Sequence, residues 1–247
     1  MNGGAFNDLT EIFESIIDWP KRLAHEEPFY RRLFERVGVR SVLDAACGTG
    51  RHAGMFHSWG LRVEGADLSP NMIARARAAV PEGVRWSVRG YDQIVDSGTP
   101  FDAVVCVGNS LALAADMAMA AKALERMLAA VRPGGVVVVH VLNLWALPDG
   151  PCLWQKAVQV TLADGPALIV KGVHRAGARG FIELLVLPLQ GEVKMRTQGV
   201  PLLGLEAGAL EQVLRQAGAG QVSLRGGYQD QAYGRDSSTD LLIVAER

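Results

Sequence analysis

The stretch with the most chemistry is Ser41 to Ala53, S-V-L-D-A-A-C-G-T-G-R-H-A. A short apolar run, Val42 and Leu43, meets a carboxylate, Asp44. Small residues follow, Ala46 and Cys47, and then Gly48-Thr49-Gly50 ahead of a helical pattern. A strand that turns through glycines into a helix brings backbone N–H groups, with little side-chain bulk, to the carboxyl edge of a sheet. Such an edge suits a wide, polar, partly charged ligand. The glycines alone are weak evidence, because with Gly54 they read GxGxxxG, a spacing that dinucleotide enzymes also use. Asp67, at the end of the next strand-like run, is placed to accept hydrogen bonds from ribose hydroxyls. An acid before the glycines and another after the second strand suit an amino-acid-plus-nucleoside ligand better than a pyrophosphate.

Other polar residues fall at what would be the same edge. Phe101 to Leu111 reads F-D-A-V-V-C-V-G-N-S-L and ends in Gly108-Asn109-Ser110. Asn109 and Asn143 each read either as groups that orient a nucleophile or as loop caps. His140 sits inside the apolar run Val136 to Leu142, so it reads either as a satisfied core histidine or as a base. No paired-carboxylate or His–Asp signature is visible. Trp145 is the leading candidate for a pocket wall, among Trp19, Phe29, Tyr30, Tyr228 and Tyr233. Arg175 is a candidate partner for a substrate carboxylate. Cys47, Cys106 and Cys152 show no CxxC spacing, so neither a metal site nor a disulfide framework is expected. Cys47 and Cys106 read as small buried hydrophobes.

The elements that must position these residues follow from periodicity. Ala5 to Asp18 carries Phe6, Leu9, Ile12, Phe13, Ile16 and Ile17 at helical spacing, and Trp19-Pro20 is expected to break it. A second helix is expected over Glu26 to Val37, and the two form a lid over the ligand edge. From Ser41, apolar strands alternate with helices, ending in G-V-V-V-V-H-V at Gly135 to Val141, preceded by a Pro133-Gly134-Gly135 turn. That alternation predicts a parallel sheet covered on both faces. From about Leu153 to Val200 the helical period disappears. Asp164-Gly165 and Ala176 to Gly180 read as hairpin turns, with a further strand proposed over Glu192 to Gln198. The expected division is 1–40 helical lid, 41–145 α/β core, 146–201 antiparallel β insertion (a substrate cap or an oligomer contact) and 202–247 return to the core.

The sequence resembles the class I S-adenosylmethionine-dependent methyltransferases. The first motif of that family is read in V-L-D-A-A-C-G-T-G and the second acidic position in G-A-D-L-S-P-N-M. Gly108-Asn109-Ser110 and V-R-P-G-G-V-V-V-V-H-V-L-N look like the glycine N-methyltransferase group. The resemblance implies a doubly wound, seven-stranded, mostly parallel sheet with an antiparallel last strand. It implies that Asp44 and the Ala46–Gly50 backbone, including Cys47 and Gly48, hold the methionine part of the cofactor. Asp67 with Leu68 would take the ribose, Tyr91 and Asp92 would flank the adenine, and Asn109 would border the cofactor. Arg22 falls loosely where related enzymes set an arginine against the cofactor carboxylate, and reads equally as a solvated helix-end residue.

Composition limits the partners. The 247 residues carry 25 basic and 26 acidic side chains, interspersed, for a formal net charge of -1, so no phosphate-tracking basic run is present. Neither a nucleic-acid partner nor a membrane is expected, no signal peptide is read, and a cytoplasmic location is the expectation. The expected function is methyl transfer from S-adenosylmethionine to a small-molecule acceptor, foremost an amine nitrogen, with Asn109, His140 and Asn143 as candidate catalytic residues. O-methylation of a hydroxylated metabolite, a nicotinamide-dependent reductase and a non-catalytic cofactor-binding scaffold stay open, as does homo-oligomerisation.

Overall fold

The computed structural model describes residues 4–93, 99–191 and 194–247, with side chains from residue 10 onward. Phe6 and Leu9, and the start of the strand expected at Glu192, therefore lie outside the described groups.

Two helices lead the chain, α1 (Gly4–Ile16) and α2 (Trp19–Val37). The first helix ends just ahead of Trp19-Pro20, as expected, and these two residues open the next helix. Proline fits the first helical turn, where its missing N–H costs nothing. Asp18 caps α2 by accepting from Lys21 N–H at 3.1 Å. The second helix thus begins seven residues earlier than Glu26 and continues through Pro28. It stops at Gly38, whose φ of 68° supplies the left-handed cap.

The α/β alternation then runs β1 (Ser41–Asp44), α3 (Arg51–Ser58), β2 (Arg62–Asp67), α4 (Pro70–Ala79), β3 (Val84–Val88), β4 (Phe101–Cys106), α5 (Met117–Ala130) and β5 (Val131–Leu142). After the insertion come α6 (Ala207–Gln216), β10 (Gln221–Arg225) and β11 (Asp240–Glu246). Ser69 caps α4 ahead of Pro70, and Asp116 caps α5. The seven strands pair in the order β3-β2-β1-β4-β5-β11-β10, and only β11 runs antiparallel to its neighbours. Strand order reverses between β1 and β4, the switch point where open α/β sheets bind ligands. Pro133-Gly134-Gly135 was expected to precede β5. It lies inside the strand, where the β4–β5 register shifts between Phe101 and Ala103. A bulge absorbs the proline and the positive φ of Gly134.

Four antiparallel strands form a second sheet, β6 (Leu153–Leu162), β7 (Gly165–Ala176), β8 (Arg179–Pro188) and β9 (Arg196–Leu203). Its inner face carries Ile169, Val173, Ile182, Leu184, Val186, Val200 and Leu202. These merge with Leu111 and Ala112 of the turn after β4 and with Val139 and Val141 of β5 into one apolar cluster. A second cluster on the opposite face packs Phe29, Tyr30, Phe34 and Phe56 beneath α2 and α3. Parallel strands buried on both faces explain the near-continuous valine run of β5. Among the described residues, no helix is long and apolar enough to cross a membrane.

Candidate active site

A cleft of about 860 Å³ opens at the carboxyl ends of β1, β2, β4 and β5. That is large for a small-molecule pocket, with room for a nucleoside-sized ligand and a second molecule. The two N-terminal helices border it through Ile16, Ile17, Trp19 and Arg22, and the β7–β9 face of the second sheet through Lys171, Ile182, Val200 and Leu202.

The floor is the turn after β1. Gly48 has φ +54° and Gly50 φ +80°, values that favour glycine. A Cβ on Gly50 would lie 2.5 Å from Trp86 and 2.9 Å from Ala76, so the turn also needs glycine for space. Ala46 and Cys47 border the cleft, whereas Gly48 and Gly50 lie behind them and shape the turn. Asp44 is 1% exposed at the foot of this turn, and neither of its oxygens has a hydrogen-bond partner of good geometry. Burial, then the charge of Asp67, push its carboxyl up to about 8, with only partial relief from the N–H groups of Ala46 and Ala53. An orphaned buried carboxylate is costly in isolation. It fits a site that receives a cation, such as the ammonium of an amino acid.

Asp67 faces the cleft from the end of β2. Its Oδ2 accepts from Gly48 N–H and its Oδ1 from Ser69 N–H, each at 2.9 Å. Burial raises its carboxyl in spite of these two bonds. Leu68, 37% exposed, is the next residue along the rim. Tyr91 and Asp92 stand at the third strand's end, and Asp92 Oδ2 lies 3.8 Å from Lys122 Nζ. The residue types fit S-adenosylmethionine: an unpaired buried acid beneath the glycine turn, a second acid at the end of the next strand, and an aromatic and polar rim.

Arg22 also borders the cleft. Its guanidinium comes within 3.7 Å of a Cβ placed on Gly108. Glu26 accepts from Arg22 at 2.7 Å and pairs with His52 at 2.7 Å, tying α2 to α3. Burial alone would raise the Glu26 carboxyl, but His52 and Arg22 outweigh it and hold it at about 2. The helix-end reading of Arg22 is thus replaced by a buttressed position facing the β4 loop. Sequence inspection missed Glu26 and His52, since i, i+4 spacing from Arg22 was the only signal for one of them.

The three candidate catalytic residues separate. Asn109 has φ 72°, accepts from Leu142 N–H through Oδ1 and donates its own N–H to His140 O at 3.2 Å. It clasps the ends of β4 and β5 while bordering the cleft. His140 also borders the cleft, with both ring nitrogens engaged. Gly108 N–H donates to Nδ1 at 3.4 Å, which places the proton on Nε2, 3.3 Å from Asp240 Oδ1. Asn143 does not reach the cleft. It is 3% exposed, donates to the carbonyls of Arg235 and Ser238 at 2.7 Å, and accepts from Tyr233 OH at 3.0 Å. Its role is to pin the loop before β11.

Trp145 and Arg175 are likewise displaced from the expected wall. Trp145 donates to Leu205 O at 3.0 Å and stacks under Arg235 at 4.5 Å. Arg175 donates to Leu147 O and Gly177 O and pairs with Asp149. Trp19 and Tyr228 do line the cleft. So do Lys156 and Lys171, which sequence reading passed over, although Lys171 is the only charge in the apolar stretch Leu168–Val173.

Comparison with known proteins agrees with this geometry. Residues 42–135 match a methyltransferase domain family. A glycine/sarcosine N-methyltransferase of Parasynechococcus marenigrum is 34% identical over 155 residues, covering 58% of this chain and 52% of that protein. The chain therefore spans about half the length of that relative. The structure of a sugar N-methyltransferase from Streptoalloteichus superposes with a TM-score of 0.74 at 28% identity, covering 91% of this chain and 87% of that one. An S-adenosylmethionine-bound amino pentose methyltransferase from Micromonospora echinaspora gives 0.72 at 26% identity, covering 94% and 92%. Together, the glycine turn, the two acids and these likenesses show that the chain carries a methyltransferase domain over residues 42–135 and resembles the class I S-adenosylmethionine-dependent methyltransferases of the glycine N-methyltransferase group.

Proposed function

We propose that the protein methylates an amine nitrogen of a small molecule. S-adenosylmethionine, when bound, supplies an electrophilic methyl group on a sulfonium. The residues of this chain hold, align and dry the reacting pair. Asp44 would take the cofactor's ammonium and Arg22 its carboxylate, with Asp67 on the ribose hydroxyls. Asn109, whose amide nitrogen makes no hydrogen bond among the described residues, would orient the acceptor. The lid and the apolar Ile182, Val200 and Leu202 would exclude water, so that proximity and desolvation carry the rate.

One observation favours nitrogen over oxygen. The imidazole best placed as a base, His140, spends both nitrogens on Gly108 and Asp240. Amines can react without a base once neutral, whereas hydroxyls need one more acutely. The named activities of the similar proteins, on glycine and on amino sugars, point the same way. The test is S-adenosylhomocysteine formation with paired acceptors that differ only in amine or hydroxyl. Turnover confined to the amines is expected. Turnover confined to hydroxyls, with a single essential base in the pH–rate profile, would remove this reading.

A further inference from the structure

The inner face of the insertion sheet is apolar except at one place. Lys156 on β6 and Lys171 on β7 are direct cross-strand partners, and both border the cleft. The β6–β7 register shifts between Trp154 and Lys156, so Gln155 is an extra residue in the strand. This bulge sets the phase that turns Lys156 to the same face as Lys171. Around them on the adjoining strands lie Ile169, Val173, Ile182 and Leu184, all buried.

Like charges directly opposite one another on a sheet are destabilising, and burial in an apolar surface adds to the cost. Lysines do protect exposed sheet edges, but that explains only Lys156. β7 is an interior strand, between β6 and β8. Lys156 donates to Ile16 O at the end of α1, which uses one of its three N–H groups. Among the described residues, the Lys171 ammonium makes no hydrogen bond or ion pair. Burial, then the charges of Lys156 and Arg22, lower its pKa, against the opposing charge of Asp240. The carboxylates that line the cleft are committed: Glu26 to Arg22 and His52, Asp240 to His140, Asp67 to two backbone N–H groups, Asp18 to Lys21 N–H and Asp92 to Lys122.

We propose that Lys171, assisted by Lys156, is the acceptor-binding residue of this cleft and takes an anionic group, a carboxylate or a phosphate, on the molecule to be methylated. The lysines sit on the second sheet, at β6 and β7, whereas the acids assigned to the cofactor end β1 and β2 of the main sheet. An anion held there would place the rest of the acceptor over the apolar floor between the two sheets. Lysine, a compact point charge with rotatable donors, serves either anion. The proposal rests on the reading of the cleft as a methyltransferase site but not on nitrogen being the atom methylated.

The first test needs no acceptor. Inorganic phosphate, pyrophosphate and acetate are titrated calorimetrically into the protein saturated with S-adenosylhomocysteine, which occupies Arg22. At least one of them is expected to bind, and Lys171→Met is expected to weaken it by about tenfold or more, the effect of losing a charge-assisted bond. Lys171→Arg should restore most of the binding. Preference for phosphate or pyrophosphate would mark a phosphate ester or nucleotide acceptor, and preference for acetate an amino-acid carboxylate. S-adenosylhomocysteine affinity should be the same in all three proteins, which confirms the variant is folded. Binding of none of the anions, or equal binding in wild type and Lys171→Met, overturns the proposal. With any turned-over acceptor, the same variant should raise KM for the anionic form and leave KM for its amide or dephosphorylated counterpart unchanged, with kcat held. Failure of every amine with success of an anionic alcohol would sink amine methylation and keep the lysine assignment.

Discussion

Asp44 carries a burial penalty that the N–H groups of Ala46 and Ala53 relieve only in part. Its folded-state carboxyl sits at about 8, against roughly 3.9 in an unfolded chain. Between those values the native state holds a proton that the unfolded state lacks. Stability of the cofactor-free protein should therefore fall as pH rises from about 4 to about 8 and then level off. Urea midpoints across that range check the slope, and Asp44→Asn should flatten it while weakening S-adenosylhomocysteine binding. Asn143 gives the opposite pattern. Asn143→Ala should cost about 2–3 kcal/mol, because its removal leaves buried loop carbonyls unpaired. S-adenosylhomocysteine affinity measured on the folded fraction should not change. At this scale the acids were legible, since a carboxylate closing an apolar strand is costly to bury unless a ligand or a turn uses it. Asn143 was not, because an asparagine at the same edge is read by its partners, and those lie about 90 residues away.

At the scale of elements, α2 is held to α3 by Arg22, Glu26 and His52. The Glu26 carboxyl is held at about 2, below the usual value of roughly 4.3. Its contribution to stability is present above that usual value and disappears as pH falls toward about 2. Glu26→Gln should cost about 3 kcal/mol at neutral pH, as breaking a buried pair does. The cost should shrink in acid, and urea unfolding at the two pH values measures both. Gly50→Ala should abolish cofactor binding in calorimetry, because its Cβ would meet Trp86 and Ala76. Strands and core helices were legible through their period. The start of α2 was not, because proline before a helix and proline ending one look the same until the cap at Asp18 is seen. Lys171 was legible in principle, as a lone charge in an apolar strand. What it faces depends on how one sheet sits on the other, which no local pattern encodes.

Across the whole molecule, a ligand bound between lid, glycine turn and insertion stabilises all three at once. At 100 times its Kd, S-adenosylhomocysteine should add about 2.7 kcal/mol. For a chain of this size that raises Tm by roughly 5–10 °C. Differential scanning calorimetry should show one transition moving as a unit. Two transitions, with only one shifted, would mean that the insertion melts independently despite the apolar cluster it shares with the main sheet.

The first helix touches both halves of the cleft. Glu14 holds Thr49 and Arg51 beside the glycine turn, Glu11 accepts from Ala163 N–H, and the Ile16 carbonyl accepts from Lys156. A strap fastened at both ends controls the sequence in which molecules enter and leave. Binding of cofactor beside the glycine turn, where Glu14 holds Thr49 and Arg51, should precede binding of the acceptor on the insertion side. Steady-state kinetics should accordingly be compulsory-order, with the methylated product released first. S-adenosylhomocysteine should compete with S-adenosylmethionine and inhibit non-competitively against the acceptor.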